Sequence, residues 1–241
     1  MKKCVLPLLA LAGMLMPCTA LSAAASSPVK LTRTDDRVRV EIGGELFTAY
    51  IFKGAPKPFL YPVHAVDGTE LMRHFPVKQG VPGEVEDHKH HRSLWFTHGN
   101  VNGLDFWAET DMKKVGQIVN ESVEHAVKGK VGEIKSRNKW VGPDGAVHLT
   151  DETTIRISGT TEARILDYEV TLKAPKNKPV VFGDTKEGSM AIRLPLWMTP
   201  PHKHGKPSKE YPGKGTIVNA EGIKNDATWG KKSTWVDYYA P

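Results

Sequence analysis

The chain has 241 residues, 39% of them apolar and 25% charged, with 22 Gly and 17 Pro. That composition belongs to a globular, turn-rich chain and excludes collagen, a coiled coil and wholesale disorder. The formal charge is +6, but basic residues are interleaved with acidic ones, which argues against nucleic acid as a partner and leaves an anionic saccharide or surface polymer compatible.

The first residues read as an export leader. Met1-Lys2-Lys3 is a basic start, residues 5–15 are an apolar run too short to cross a bilayer, and Ala23-Ala24-Ala25 fits a signal-peptidase site. The expectation is a signal peptide over residues 1–25, with residues 26–241 forming one β-sandwich domain in the periplasm or outside the cell. Leu15-Met16-Pro17 ahead of Cys18 departs from a lipobox. Cys4 and Cys18 both lie in the leader, so the exported part is expected to carry neither a disulfide nor a thiol nucleophile. No later window holds a long apolar run, which predicts no membrane span.

Strand signals follow in order. Val38, Val40 and Ile42 alternate with Arg37, Arg39 and Glu41, and Gly43-Gly44 offers a tight hairpin into residues 45–52. A second hairpin is predicted between residues 131–141 and 146–157, closed by Gly142-Pro143-Asp144-Gly145. Leu166, Tyr168, Val170 and Leu172 mark another strand, and residues 180–182 and 190–196 two more. One short helical turn is expected around residues 105–113. Residues 200–215, rich in Pro, Lys and Gly, read as an exposed loop. Short strands punctuated by Gly and Pro predict an all-β antiparallel sandwich.

Residues 84–107 stand apart, holding four of the ten histidines. Read as a strand, they would project His88 and His90 from one face and His91 from the other. One reading is a divalent metal held by His88 and His90 with His98, Asp105 or Glu86 as third ligand. The cupin version wants Glu four or five residues after the H-x-H pair, where Leu94 and Trp95 stand. Another is a site without a cofactor that binds a saccharide or other small molecule, with the imidazoles moving protons, Arg92 orienting the ligand and Trp95 or Trp107 supplying an apolar platform. The third makes these residues ordinary loop and core. A second window, residues 183–193, adds Lys186, Glu187 and Arg193. Glu187 is expected to oppose the histidines as an acid/base.

At Tyr61-Pro62, Pro82-Gly83-Glu84, Asp87-His88, His90 to Phe96, His98-Gly99, Val101 to Trp107, Gly183 to Gly188, Arg193 and Trp235 to Tyr238, the sequence resembles the PmoA-like, or methane-oxygenase-like, bacterial domain family of unassigned activity. The oxygenase in that label is a membrane-embedded copper enzyme, whose reaction does not suit a chain without spanning helices. The resemblance implies an exported β-sandwich laid out like the galactose-mutarotase-like supersandwiches and associated with carbohydrate degradation. Similar proteins continue beyond the Trp235–Tyr238 motif, so the resemblance also implies that the domain here lacks its C-terminal part. The sequence therefore predicts catalytic roles for His90, His91 and Glu187. Ligand contacts are predicted at His88, Arg92, Trp95, His98, Asp105, Trp107, Lys186 and Arg193, and a metal, if bound, at His88, His90 and His98.

Overall fold

A computed structural model describes residues 24–204, 209–211 and 213–241 of the chain; residues 1–23 of the expected leader lie outside them. The first strands are β1 (Val29–Arg33), β2 (Arg37–Ile42), β3 (Glu45–Ile51), β4 (Phe59–Val63) and β5 (Leu94–Phe96). In β2 the apolar residues are buried while Arg37 and Arg39 face out, as period-two alternation requires. Gly43 and Gly44, at φ 64° and 90°, turn the chain into β3 in two residues, a conformation that side chains with a Cβ rarely adopt.

Three long strands follow, β6 (Gln117–Lys128), β7 (Val131–Val141) and β8 (Val147–Gly159), then β9 (Arg164–Lys173) and the short β10 (Met190–Ile192). The predicted turn at residues 142–145 is present, with Gly145 at φ 80° and the Gly142 N–H donating to Ala146 O at 2.8 Å. Last come β11 (His202–His204), β12 (Lys209–Tyr211), β13 (Thr216–Asn219) and β14 (Val236–Tyr239), which form two separate two-stranded antiparallel sheets, β11 with β12 and β13 with β14.

The expected antiparallel sandwich is what forms. One six-stranded sheet runs in the order β1-β2-β3-β4-β5-β10 and a four-stranded meander in the order β6-β7-β8-β9. Val38, Val40, Ile42, Tyr50, Leu60 and Leu94 of the first pack against Val123, Ile134, Ile155 and Ile157 of the second. Each such side chain contributes about 1.5–3 kcal/mol on burial, which makes this interlayer core the main stabilising term. A second cluster, Val101, Phe106, Ile118, Trp140 and Leu149, joins the four-stranded sheet to the loop after β5.

Several local expectations are corrected. Of residues 180–182, only Phe182 makes a bridge, to Val101, and the strand at 190–196 stops at Ile192 before a 3-10 turn over Leu196–Met198. Residues 105–113 form bends and turns instead of a helix, because Asp105 Oδ1 accepts the backbone N–H of Trp107 at 2.6 Å and of Ala108 at 3.1 Å. Within the expected loop at 200–215, β11 and β12 pair. Among the described residues no helix is long and apolar enough to cross a membrane.

Candidate functional site

The residues before β5 are a folded turn. His88 and Ser93 lie at φ 46° and 64°, and the His91 N–H donates to His88 O at 2.9 Å. A buried cation holds the turn in place. Arg73 Nη1 donates to the Asp87 carboxylate and, at 3.1 Å, to Val85 O; its Nη2 donates to Asp87 O at 2.9 Å and His88 O at 3.2 Å. The strand reading, which put His91 on the opposite face from His88 and His90, is thereby overturned. The three imidazoles converge instead: His91 stacks on His88 at 4.9 Å and 15°, and His90 meets His91 edge-on at 4.5 Å.

Under this cluster lies the face of the six-stranded sheet turned away from the interlayer core. Strand register sets Arg37, Ile51, Phe59, Trp95 and Ala191 in one row across that face. His91 stacks on Trp95 at 5.3 Å and 26°, and Trp107 closes against both, 5.3 Å from Trp95 and 5.8 Å from His91. Arg92 lies over the Phe59 ring at 5.7 Å. A groove of about 490 Å³ runs along the same face, lined by Arg37, Arg39, Phe59, Tyr61 and Arg92 among others. Trp95 and Trp107 are 1% and 8% exposed, yet the Nε1–H of each is buried without an acceptor.

Two ion-pair networks bracket the rings. In one, the fully buried Lys57 donates to Glu109 Oε1 at 2.6 Å and to Trp107 O at 3.1 Å, while Arg92 grips the same carboxylate through Nε and Nη2 at 2.7–3.0 Å. Burial works to raise the Glu109 carboxyl, but Arg92 and Lys57 together hold it below its ordinary value. In the other network, Asp87 joins Arg73 to Arg193, 3.0 Å away, and to His88 Nδ1 at 2.9 Å. Burial opposes its ionisation, whereas Arg193, Arg73 and His88 favour it and keep its pKa low. Burial also lowers both central imidazoles. His91 falls to about 3, assisted by His90, Arg193, His88 and Arg73, and His90 falls under the added influence of Lys57 and His88, against Glu109 and Asp105. Both rings are neutral at pH 7. Each then offers one N–H donor and one acceptor nitrogen.

His88, His90, His91, Arg92, Trp95, Trp107 and Arg193 are therefore brought together, while four other predicted residues, His98, Lys186, Glu187 and Asp105, are not. His98 donates from Nε2 to Gly183 O at 2.9 Å and accepts at Nδ1 from Ser189 Oγ at 3.0 Å. With both nitrogens occupied it ties two loops and is no metal ligand alongside His88 and His90. Lys186 and Glu187 sit at the wrong end of a strand pair. Met190 faces Phe96 and Ile192 faces Leu94, so residues before β10 run toward His98 and residues after it toward the histidine turn. Arg193 meets the imidazoles, and the Glu187 carboxylate lies 3.6 Å from Lys186 Nζ, whose ammonium covers Trp229. This corrects the expectation that Glu187 opposes the histidines; the carboxylates at the cluster are Asp87 and Glu109. Asp105 caps its own turn and acts on the site only at a distance. Among the described residues no three His, Cys, Asp or Glu side chains are grouped to hold a metal.

Sequence reasoning missed Lys57, Arg73 and Glu109. Their one signal was a charge set among apolar or ring residues: Lys57 between Pro56 and Pro58, Arg73 beside Met72 and near Phe75, Glu109 close behind Phe106-Trp107. It also missed a hydrogen-bonded chain at the groove wall, Tyr61 Oη to His74 Nδ1 at 2.8 Å and His74 Nε2 to Glu70 Oε2 at 2.7 Å.

No curated protein and no solved structure matches the chain. A family pattern does match, over residues 37–241, which takes in every side chain of the aromatic platform and of both ion-pair networks; the chain belongs to DUF6807, a family of unknown function.

Proposed function

We propose that this is an exported carbohydrate-active protein that holds a saccharide on the outer face of its six-stranded sheet, over Trp95, Trp107 and His91, with His90 placed to move a proton. The observation that carries the reading is the pair of indole N–H groups buried without acceptors beside neutral imidazoles. A buried donor left unpaired costs about 1–3 kcal/mol, which a ligand oxygen would offset once the histidine turn covering the indoles moves aside to admit it. A saccharide offers such oxygens together with an apolar C–H face that suits aromatic rings. The signal-like leader and the resemblance to PmoA-like proteins of carbohydrate-degrading systems favour the same class of ligand and an extracytoplasmic address.

His91, with a pKa of about 3, is too weak a base to abstract protons efficiently and serves as a hydrogen-bonding surface. His90 is the better proton carrier. A second reading, a glycan-binding module without turnover, is favoured by one feature: Asp87 and Glu109 are each held by two cations, which leaves neither carboxyl protonated to act as an acid at neutral pH.

Calorimetric titration with a panel of mono- and oligosaccharides tests the site. Trp107→Phe keeps an aromatic ring and removes the N–H, and is expected to weaken binding about tenfold, the equivalent of one hydrogen bond. Absence of any saccharide binding by the wild type, or equal affinity in the variant, would defeat the proposal. Turnover of a bound saccharide that disappears in His90→Gln would select catalysis over simple binding.

A further inference from the structure

Beside the histidine turn is a cavity of about 250 Å³ whose lining includes Arg73, Arg193, Leu194, Thr199 and Tyr238. Two guanidinium groups line it, and the carboxylate in contact with both is that of Asp87. Glu84, another carboxylate near Arg73, is turned away and accepts the backbone N–H groups of His74 and Phe75 at 2.9–3.1 Å. Arg73 is 1% exposed, and while its two terminal nitrogens are bonded, its Nε–H is buried without an acceptor. Arg193 bonds Asp87 through Nη2 and is about one-third exposed, and among the described residues its other guanidinium donors make no hydrogen bond. Among the described residues, two cations sharing one anion in a partly desolvated place leave positive charge that another anion would balance. A guanidinium fork matches a planar carboxylate or a sulfate better than a neutral hydroxyl.

We infer that the Arg73–Arg193 cavity is an anion subsite, which takes the carboxylate or sulfate of an acidic saccharide whose ring lies on the Trp95–Trp107 platform. This rests on the saccharide reading above and narrows it to acidic sugars. The two places adjoin, since Asp87, in contact with both arginines, also meets His88, which stacks on His91, the imidazole stacked on Trp95.

Uronic-acid oligosaccharides and the same oligosaccharides after carboxyl reduction supply matched probes, identical but for the charge. Titrated by tryptophan fluorescence at low salt, the acidic form is expected to bind about tenfold more tightly, with the preference shrinking as salt rises. Arg193→Gln is expected to bring the ratio of acidic to neutral affinity close to one, and Arg193→Lys to restore part of it. Thermal unfolding in inorganic phosphate against chloride at equal ionic strength supplies an arm that needs no sugar. Wild type is expected to be stabilised by phosphate and Arg193→Gln not. Equal affinity for acidic and reduced oligosaccharides, or a preference that survives Arg193→Gln, overturns the subsite. Stabilisation by phosphate without binding of either oligosaccharide supports the subsite and overturns the saccharide reading; binding of both sugars alike does the reverse.

Discussion

Glu109→Gln is expected to destabilise the protein by about 3–5 kcal/mol at neutral pH, because it leaves two cations gathered in a buried place with no anion between them. Lys57 and Glu109 are 2% and 4% exposed, and the carboxylate bonds both Lys57 and Arg92. An amide keeps the shape and can still accept a hydrogen bond, but removes the charge. The pH dependence follows from the lowered pKa of Glu109. A depressed carboxyl contributes stability that is complete above its unfolded value, near 4.5, and is lost as pH falls through the lower folded value. The gap between wild type and variant should therefore be widest at neutral pH and narrow below pH 4.5. Urea unfolding at pH 7 and at acid pH measures it, and a loss below about 1 kcal/mol at pH 7 would show that the pair is solvated. The substitution also loosens Trp107, whose carbonyl accepts from Lys57.

Trp140→Ala should cost about 3–5 kcal/mol through the cavity it opens. Trp140 is fully buried, packs on Phe106 at 5.0 Å and Phe96 at 6.2 Å, and so couples the four-stranded sheet to the segment that carries Trp107. Its indole also donates to Asp151 Oδ2 at 2.8 Å, beside Asn138 at 2.7 Å and Thr153 at 2.9 Å on the other oxygen. Trp140→Phe keeps most of the volume and isolates that hydrogen bond, with an expected loss of about 1–2 kcal/mol. Denaturant unfolding of both variants separates the two contributions. Equal losses would mean that the ring packing contributes little.

What the sequence disclosed was what repeats locally. The β2–β3 and β7–β8 hairpins were legible because alternation and turn glycines act within a few residues. β6 was not: of its twelve residues only Ile118 and Val123 are buried, and a register shift between Asn120 and Ser122 breaks the alternation. The H-x-H spacing of His88 and His90 suggested a strand because nothing in the sequence marks His88 for a left-handed turn. That turn is imposed by Arg73, in the segment after β4 and fourteen residues earlier than Asp87. The choice between Glu187 and Arg193 depends on pairing between β5 and β10, strands whose partners lie more than ninety residues apart in the chain. The composition of the site was thus readable, and its assembly was not.

The most direct test of the account concerns the indole N–H resonances of the six tryptophans, followed by NMR as an acidic oligosaccharide is added. Trp95 and Trp107 should shift together, while Trp140, already bonded to Asp151, stays in place. Shifts confined to the exposed Trp229 and Trp235, with Trp95 and Trp107 unmoved, would place any binding elsewhere and contradict a saccharide site on this sheet face.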